Sequence, residues 1–195
     1  MGERSRRGDG PDFAVLGEVV AAPVLEAMRA ASAQLDRSGI RHALVGGIAV
    51  GLYGYVRNTK VVDFLVGDEA FAHHAGGIVT VAPGVPIQVG TVAVDPLSIG
   101  PGERHLEEAI RSPARVDGIP LAPVEALIYL KLKSPRRKDA ADVVELLKAE
   151  VDAKKVRAYL ALYAVALLPK FEGLAADAER EESEVRRPPP APANC

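Results

Sequence analysis

The sequence predicts an α/β fold: a small mixed sheet of four to six strands, helices packed against it, and a C-terminal helical segment. Two observations carry this. Short apolar runs, each closed by glycine or an acid, read as buried strands. Between and after them, longer stretches repeat their apolar residues at helical spacing.

Residues 1–11 are polar and glycine-rich, and are expected to be a disordered tail. Over 20–35, Val24, Leu25, Met28, Ala31 and Leu35 recur at helical spacing, and Gly39 ends the run. Residues 40–45 read as a buried strand, and 46–55 as a short helix opened by Gly46 and Gly47. Residues 61–66 form a second strand. Residues 68–77 read as a turn or short helix, followed by short strands over 78–81, 85–89 and 92–97. Helices follow over 103–111 and 124–133. Ser134 is a candidate N-cap, and Pro135 suits the first position of another helix. One more amphipathic helix spans 152–170. The tail from 176 is charged, then proline-rich, and is expected to be disordered. This gives a domain over 12–150, a helical segment over 151–175 and a tail over 176–195.

With 195 residues and a formal net charge of −2, the chain has no overall attraction to nucleic acid or to anionic membranes. The charged N-terminus does not read as a signal peptide. The longest apolar run near the C-terminus falls short of the roughly 20 residues a bilayer needs. Cys195 is the single cysteine, so no intrachain disulfide forms. A cytoplasmic protein is expected. An alanine-, arginine- and proline-rich composition suggests a GC-rich bacterial genome.

Chemistry concentrates in the first half. Gly46 and Gly47 close a strand. Arg57 and Thr59 precede the next strand, which carries Asp63, and a later strand carries Asp95. Strand side chains alternate, so position 61 and Asp63 share a face. Asp95 joins them if its strand is a sheet neighbour. Each piece alone has an ordinary structural reading as a turn or cap; their order and spacing together are less ordinary. Downstream, a leucine-rich helix with Lys131 is followed by Arg136, Lys138, Asp139 and Asp142. Asp139 and Asp142 stand one helical turn apart. The adjacent His73 and His74 have no third partner for a zinc set. No nucleophile elbow or Walker-type loop is present.

In this order the motifs resemble the nucleotidyltransferase superfamily, over roughly residues 35–150, and in particular the small AbiEii-type proteins of abortive-infection and toxin–antitoxin systems. The resemblance implies Mg²⁺-dependent transfer of a nucleoside monophosphate from an NTP to an RNA, protein or small-molecule acceptor. It implies that Asp63 and Asp95 hold the metal and are catalytic. Gly46, Gly47, Arg57, Thr59, Lys131, Arg136 and Lys138 would bind the nucleotide. The chain departs from the pattern at Val61, where the first acid is expected. Valine cannot coordinate Mg²⁺, which favours carboxylate anchors. Either transfer is impaired, or the protein is a catalytically inactive nucleotide-binding or partner-binding module. Asp68 or Glu69 could compensate only by reaching back from beyond the strand end.

Overall fold

The computed structural model describes residues 13–71 and 85–186. The expected strand at 78–81, His73, His74 and the residues at either end lie outside them. The chain divides into two compact units, Met1–Pro123 and Val124–Cys195.

The first unit is built on a six-stranded mixed sheet: β1 (His42–Val45), β2 (Val61–Val66), β3 (Ile87–Val89), β4 (Val92–Ser98), β5 (Ala114–Val116) and β6 (Ile119–Leu121). Their order is β3-β4-β2-β1-β6-β5. β1 runs antiparallel to β2, which runs parallel to β4; β6 lies parallel to β1 on the other side. Helix α1 (Ala22–Arg37) buries Val24, Leu25, Met28, Ala31 and Leu35, the residues its periodicity singles out. Pro23 sits in its first turn, where a missing N–H costs nothing. Gly39 ends it at φ +67°. α2 (Gly46–Leu52) follows β1 directly, and α3 (His105–Arg111) packs on β1.

The hairpin β5–β6 is absent from the sequence reading. Asp117 (φ +46°) and Gly118 (φ +81°) form its two-residue turn, with Val116 opposite Ile119. An Asp-Gly pair is a recognised hairpin signal; three-residue strands are too short to show alternation. Pro96 is tolerated within β4 because β3 extends only to the position opposite Val94, so among the described residues no strand pairs with this stretch on that side.

Two polar clusters hold the first unit together. His42 is buried, with its Nε2 2.8 Å from Ser32 Oγ of α1 and its Nδ1 2.9 Å from the Ile40 carbonyl. That carbonyl only accepts, so Nδ1 donates and Nε2 accepts from the serine. Burial lowers the His42 pKa below its usual 6.5. Arg41 forms a fork with Glu69 at 2.9 Å on each arm and reaches Glu107 at 3.1 Å. The Arg41 hydrogen bonds hold the Glu69 carboxyl down at about 2. A Cβ on Gly67 would overlap that carboxylate, so glycine there lets Glu69 fold back.

These shifts set the acid limb of stability. The unfolded chain binds a proton at His42 more readily than the folded chain, so its contribution is full above about pH 6.5 and declines as pH falls below that. Glu69 contributes fully above about pH 4.5, and its share disappears toward pH 2. Urea midpoints measured from pH 7 to 3 are expected to fall in both ranges. Arg41→Gln should flatten only the lower one.

The second unit is helical: α4 (Val124–Lys133), α5 (Arg137–Lys148), α6 (Ala153–Tyr163) and α7 (Leu168–Arg186), with a 3-10 turn at Val165–Leu167. α5 begins two residues later than expected. Arg136, not Ser134, is its N-cap, with extended backbone. Pro135 therefore lies outside the helix, and the Ser134 hydroxyl accepts from Arg136 N at 3.2 Å. The expected single helix over 152–170 is two. It starts behind Asp152, whose carboxylate caps Lys154 N and Lys155 N, and breaks at Ala164, just ahead of Pro169 in the first turn of α7. α7 then runs through the region expected to be disordered from 176. Phe171, Ala175 and Ala178 are buried and Lys148 pairs with Glu181, so a sparse apolar stripe holds a highly charged helix on its neighbours.

Candidate functional site

The site in the first unit starts from the register of β2 against β4. Asp63 is the direct partner of Asp95 on adjacent parallel strands, and Val61 is the partner of Ala93. Adjacent strands lie about 4.8 Å apart and opposed residues point to the same face, so the two carboxylates stand side by side. Burial shows which face this is. Val62, Phe64 and Val66 are fully buried, whereas Val61 and Asp63 are half-buried.

The glycine pair closes over this face. Val45 is the register partner of Asp63, so the chain leaving β1 passes over the aspartate. Gly46 takes φ +68°, and a Cβ there would overlap the Asp63 carboxylate. Only glycine meets both demands without strain. A Cβ on Gly47 would lie 2.9 Å from Thr59 Oγ1 and 3.3 Å from an Arg57 guanidinium nitrogen. Thr59 is buried and its hydroxyl donates to the Val61 carbonyl at 3.3 Å. Six of the sequence-predicted site residues, Gly46, Gly47, Arg57, Thr59, Asp63 and Asp95, thus share one neighbourhood of the first unit. Backbone N–H groups of the glycine turn, a guanidinium and two carboxylates form a donor set suited to an anion with its cation.

The donor chemistry fits Mg²⁺ in kind and falls short in number. Two carboxylates offer hard oxygen ligands. Val61 and Ala93, next along the same face, offer none. Among the described residues no group of three His, Cys, Asp or Glu is placed to hold a metal ion. Glu69 is engaged by Arg41, including its backbone N–H at 2.8 Å, so it does not reach back to supply an oxygen beside Val61.

The remaining predicted residues belong to the second unit. Lys131 is buried, with Nζ 2.6 Å from Asp139 and 2.7 Å from Asp142. Arg136 Nε lies 2.6 Å from the other oxygen of Asp139, and its own side chain is 72% exposed. Lys138 is exposed. Burial alone would raise the Asp139 carboxyl, but hydrogen bonds from Lys131 and Ser134 and the lysine charge outweigh it and hold it at about 2. Lys170 donates to the Leu132 and Ser134 carbonyls, capping the end of α4. On sequence alone, Lys131, Arg136 and Lys138 share one expected role. Lys131 differs from the other two, because its ammonium bridges two buried carboxylates. The signal was there in the helical placement of Asp139 and Asp142, which turns both toward one cation.

No protein-family model and no curated protein matches the chain. Among solved structures, it is similar to an antigenic nucleotidyltransferase-like protein from Paracoccidioides brasiliensis, at 16% identity and a TM-score of 0.46, covering 81% of this chain and 94% of that one. A likeness at this level does not extend to individual residues or to activity.

Proposed function

We propose that the first unit binds a nucleoside triphosphate with Mg²⁺ in the manner of a nucleotidyltransferase, and that its capacity for nucleotidyl transfer is impaired. The observation that carries this is the register pairing of Asp63 with Asp95 directly beneath Gly46. Asp63 and Asp95 would hold the cation, which when bound screens phosphate charge and polarises the reacting phosphoryl group. Gly46 and Gly47 would present backbone N–H groups to phosphate oxygens. Arg57 would add charge-assisted hydrogen bonds, and Thr59 would brace the glycine turn. In the second unit, Lys131 braces a helix junction whose exposed cations are Arg136 and Lys138, which would bind anionic groups there. The acceptor, whether RNA, protein or small molecule, follows from no residue of the site.

A second reading is favoured by one feature. The Val61–Ala93 pair supplies no oxygen where transfer chemistry needs a further ligand. Under this reading the protein is a nucleotide-binding or partner-binding module of the toxin–antitoxin type, without turnover.

Calorimetric titration of ATP, GTP, CTP and UTP, with and without Mg²⁺, tests the shared premise. At least one is expected to bind only with Mg²⁺, and Asp63→Ala should weaken it by roughly tenfold or more, since tenfold is only about 1.4 kcal/mol. Binding indifferent to both Mg²⁺ and Asp63 would overturn the transferase reading and the nucleotide-binding form of the second, leaving the partner-binding module.

A further inference from the structure

The same strands border a cavity on their reverse face. The cavity, of about 370 Å³, lies between the C-terminal half of α1 and the sheet, on the side opposite the two carboxylates. Its walls are apolar, with Leu35 from α1 and Phe64, Ile87 and Val94 from β2, β3 and β4. Protein interiors rarely leave voids much larger than a water molecule, and apolar ones stay dry. This volume falls instead in the range of small-ligand pockets.

The mouth has a different chemistry. Gln34 and Arg37 are exposed and line the cavity at its rim. Arg37 donates to Gln34 Oε1 at 2.7 Å, and Gln34 in turn donates to Ser38 at 3.4 Å. Among the described residues no carboxylate pairs with Arg37. A guanidinium at the opening of a greasy hollow selects a molecule with an apolar body and one planar anionic head, which arginine can grip with two parallel hydrogen bonds.

We propose that this cavity binds a small monoanionic amphiphile of the medium-chain alkyl carboxylate class, with its chain against Leu35, Ile87 and Val89 and its head on Arg37. Phe64 and Val94 adjoin Asp63 and Asp95 in the chain, so the ligand lies on the reverse of the strands that carry them. The site is independent of the nucleotide reading.

The test titrates the full chain with decanoate and with decanol, both as monomers. Decanoate is expected to bind one to one and roughly tenfold tighter than decanol, the equivalent of one charge-assisted contact of about 1.4 kcal/mol. Arg37→Gln, at an exposed position, should abolish that preference and leave decanol binding unchanged. Ala31→Leu, which fills the cavity, should weaken both ligands while leaving the thermal midpoint at or above its native value. Asp63→Ala should alter neither. Absence of saturable binding, equal affinity for the two ligands, or association only with phosphatidylglycerol vesicles would overturn the proposal.

Discussion

Lys131→Met is expected to destabilise the second unit by about 3–5 kcal/mol, the usual consequence of removing one partner from a buried ionic cluster. Methionine keeps the length and helix propensity of lysine, so the loss isolates the charge. Asp139 and Asp142 are each about 1% exposed, and both lie within 2.7 Å of the Lys131 ammonium. Without it, two carboxylates face each other in a site with little water. Arg136 still reaches Asp139, but from the surface. The variant should therefore regain stability as pH falls and the carboxyls take up protons, a reversal of the native trend. Denaturant unfolding at pH 7 and pH 4 reads both effects. A loss below about 1 kcal/mol at pH 7 would show that the cluster is solvated, and would return Lys131 to the phosphate-contacting role that the sequence suggests.

Val61→Asp is expected to raise divalent-cation affinity by roughly tenfold or more, because tenfold needs only about 1.4 kcal/mol from an added carboxylate ligand. The new side chain would stand on the face of Asp63 and Asp95, one alternation along β2. Three neighbouring carboxylates repel one another, so the metal-free variant should melt below the native protein. Mg²⁺ should restore its midpoint by linkage, with a larger shift than the native chain shows. Thermal melts with and without Mg²⁺ measure this directly. Turnover of an NTP by the variant but not by the native chain would favour the impaired-transferase reading. Tighter metal binding with no turnover would favour the binding module. An unchanged metal response would remove the carboxylate pair as a cation site.

Most of the first unit was legible because local signals and tertiary demands agree there. The strand at Val61–Val66 and, in the second unit, the helix at Val124–Lys133 fall where the pattern places them, since each is bounded by its own glycine, acid or proline. The candidate site was legible as a residue set: glycines, Arg57, Thr59 and two acids in order. Less legible were features that depend on distant partners. α7 reads as a charged tail until Phe171, Ala175 and Ala178 find a surface to cover. The β5–β6 hairpin has only three residues per strand, and β6 is held beside β1 through Leu44 and Leu121, which are far apart in the chain.

By itself, the sequence determined the alternation of strands and helices, and that Val61 rather than an acid shares a strand face with Asp63. These follow from periodicity and side-chain chemistry within a few residues. Tertiary structure alone decided that β4 lies next to β2 in a register that sets Asp95 beside Asp63. It also decided that Gly46 must lack a side chain because a carboxylate occupies that space, and that Lys131 is an internal counter-ion while Arg136 and Lys138 face solvent. Each is a matter of which groups meet across long stretches of chain, and strand pairing and burial set that, not local propensity.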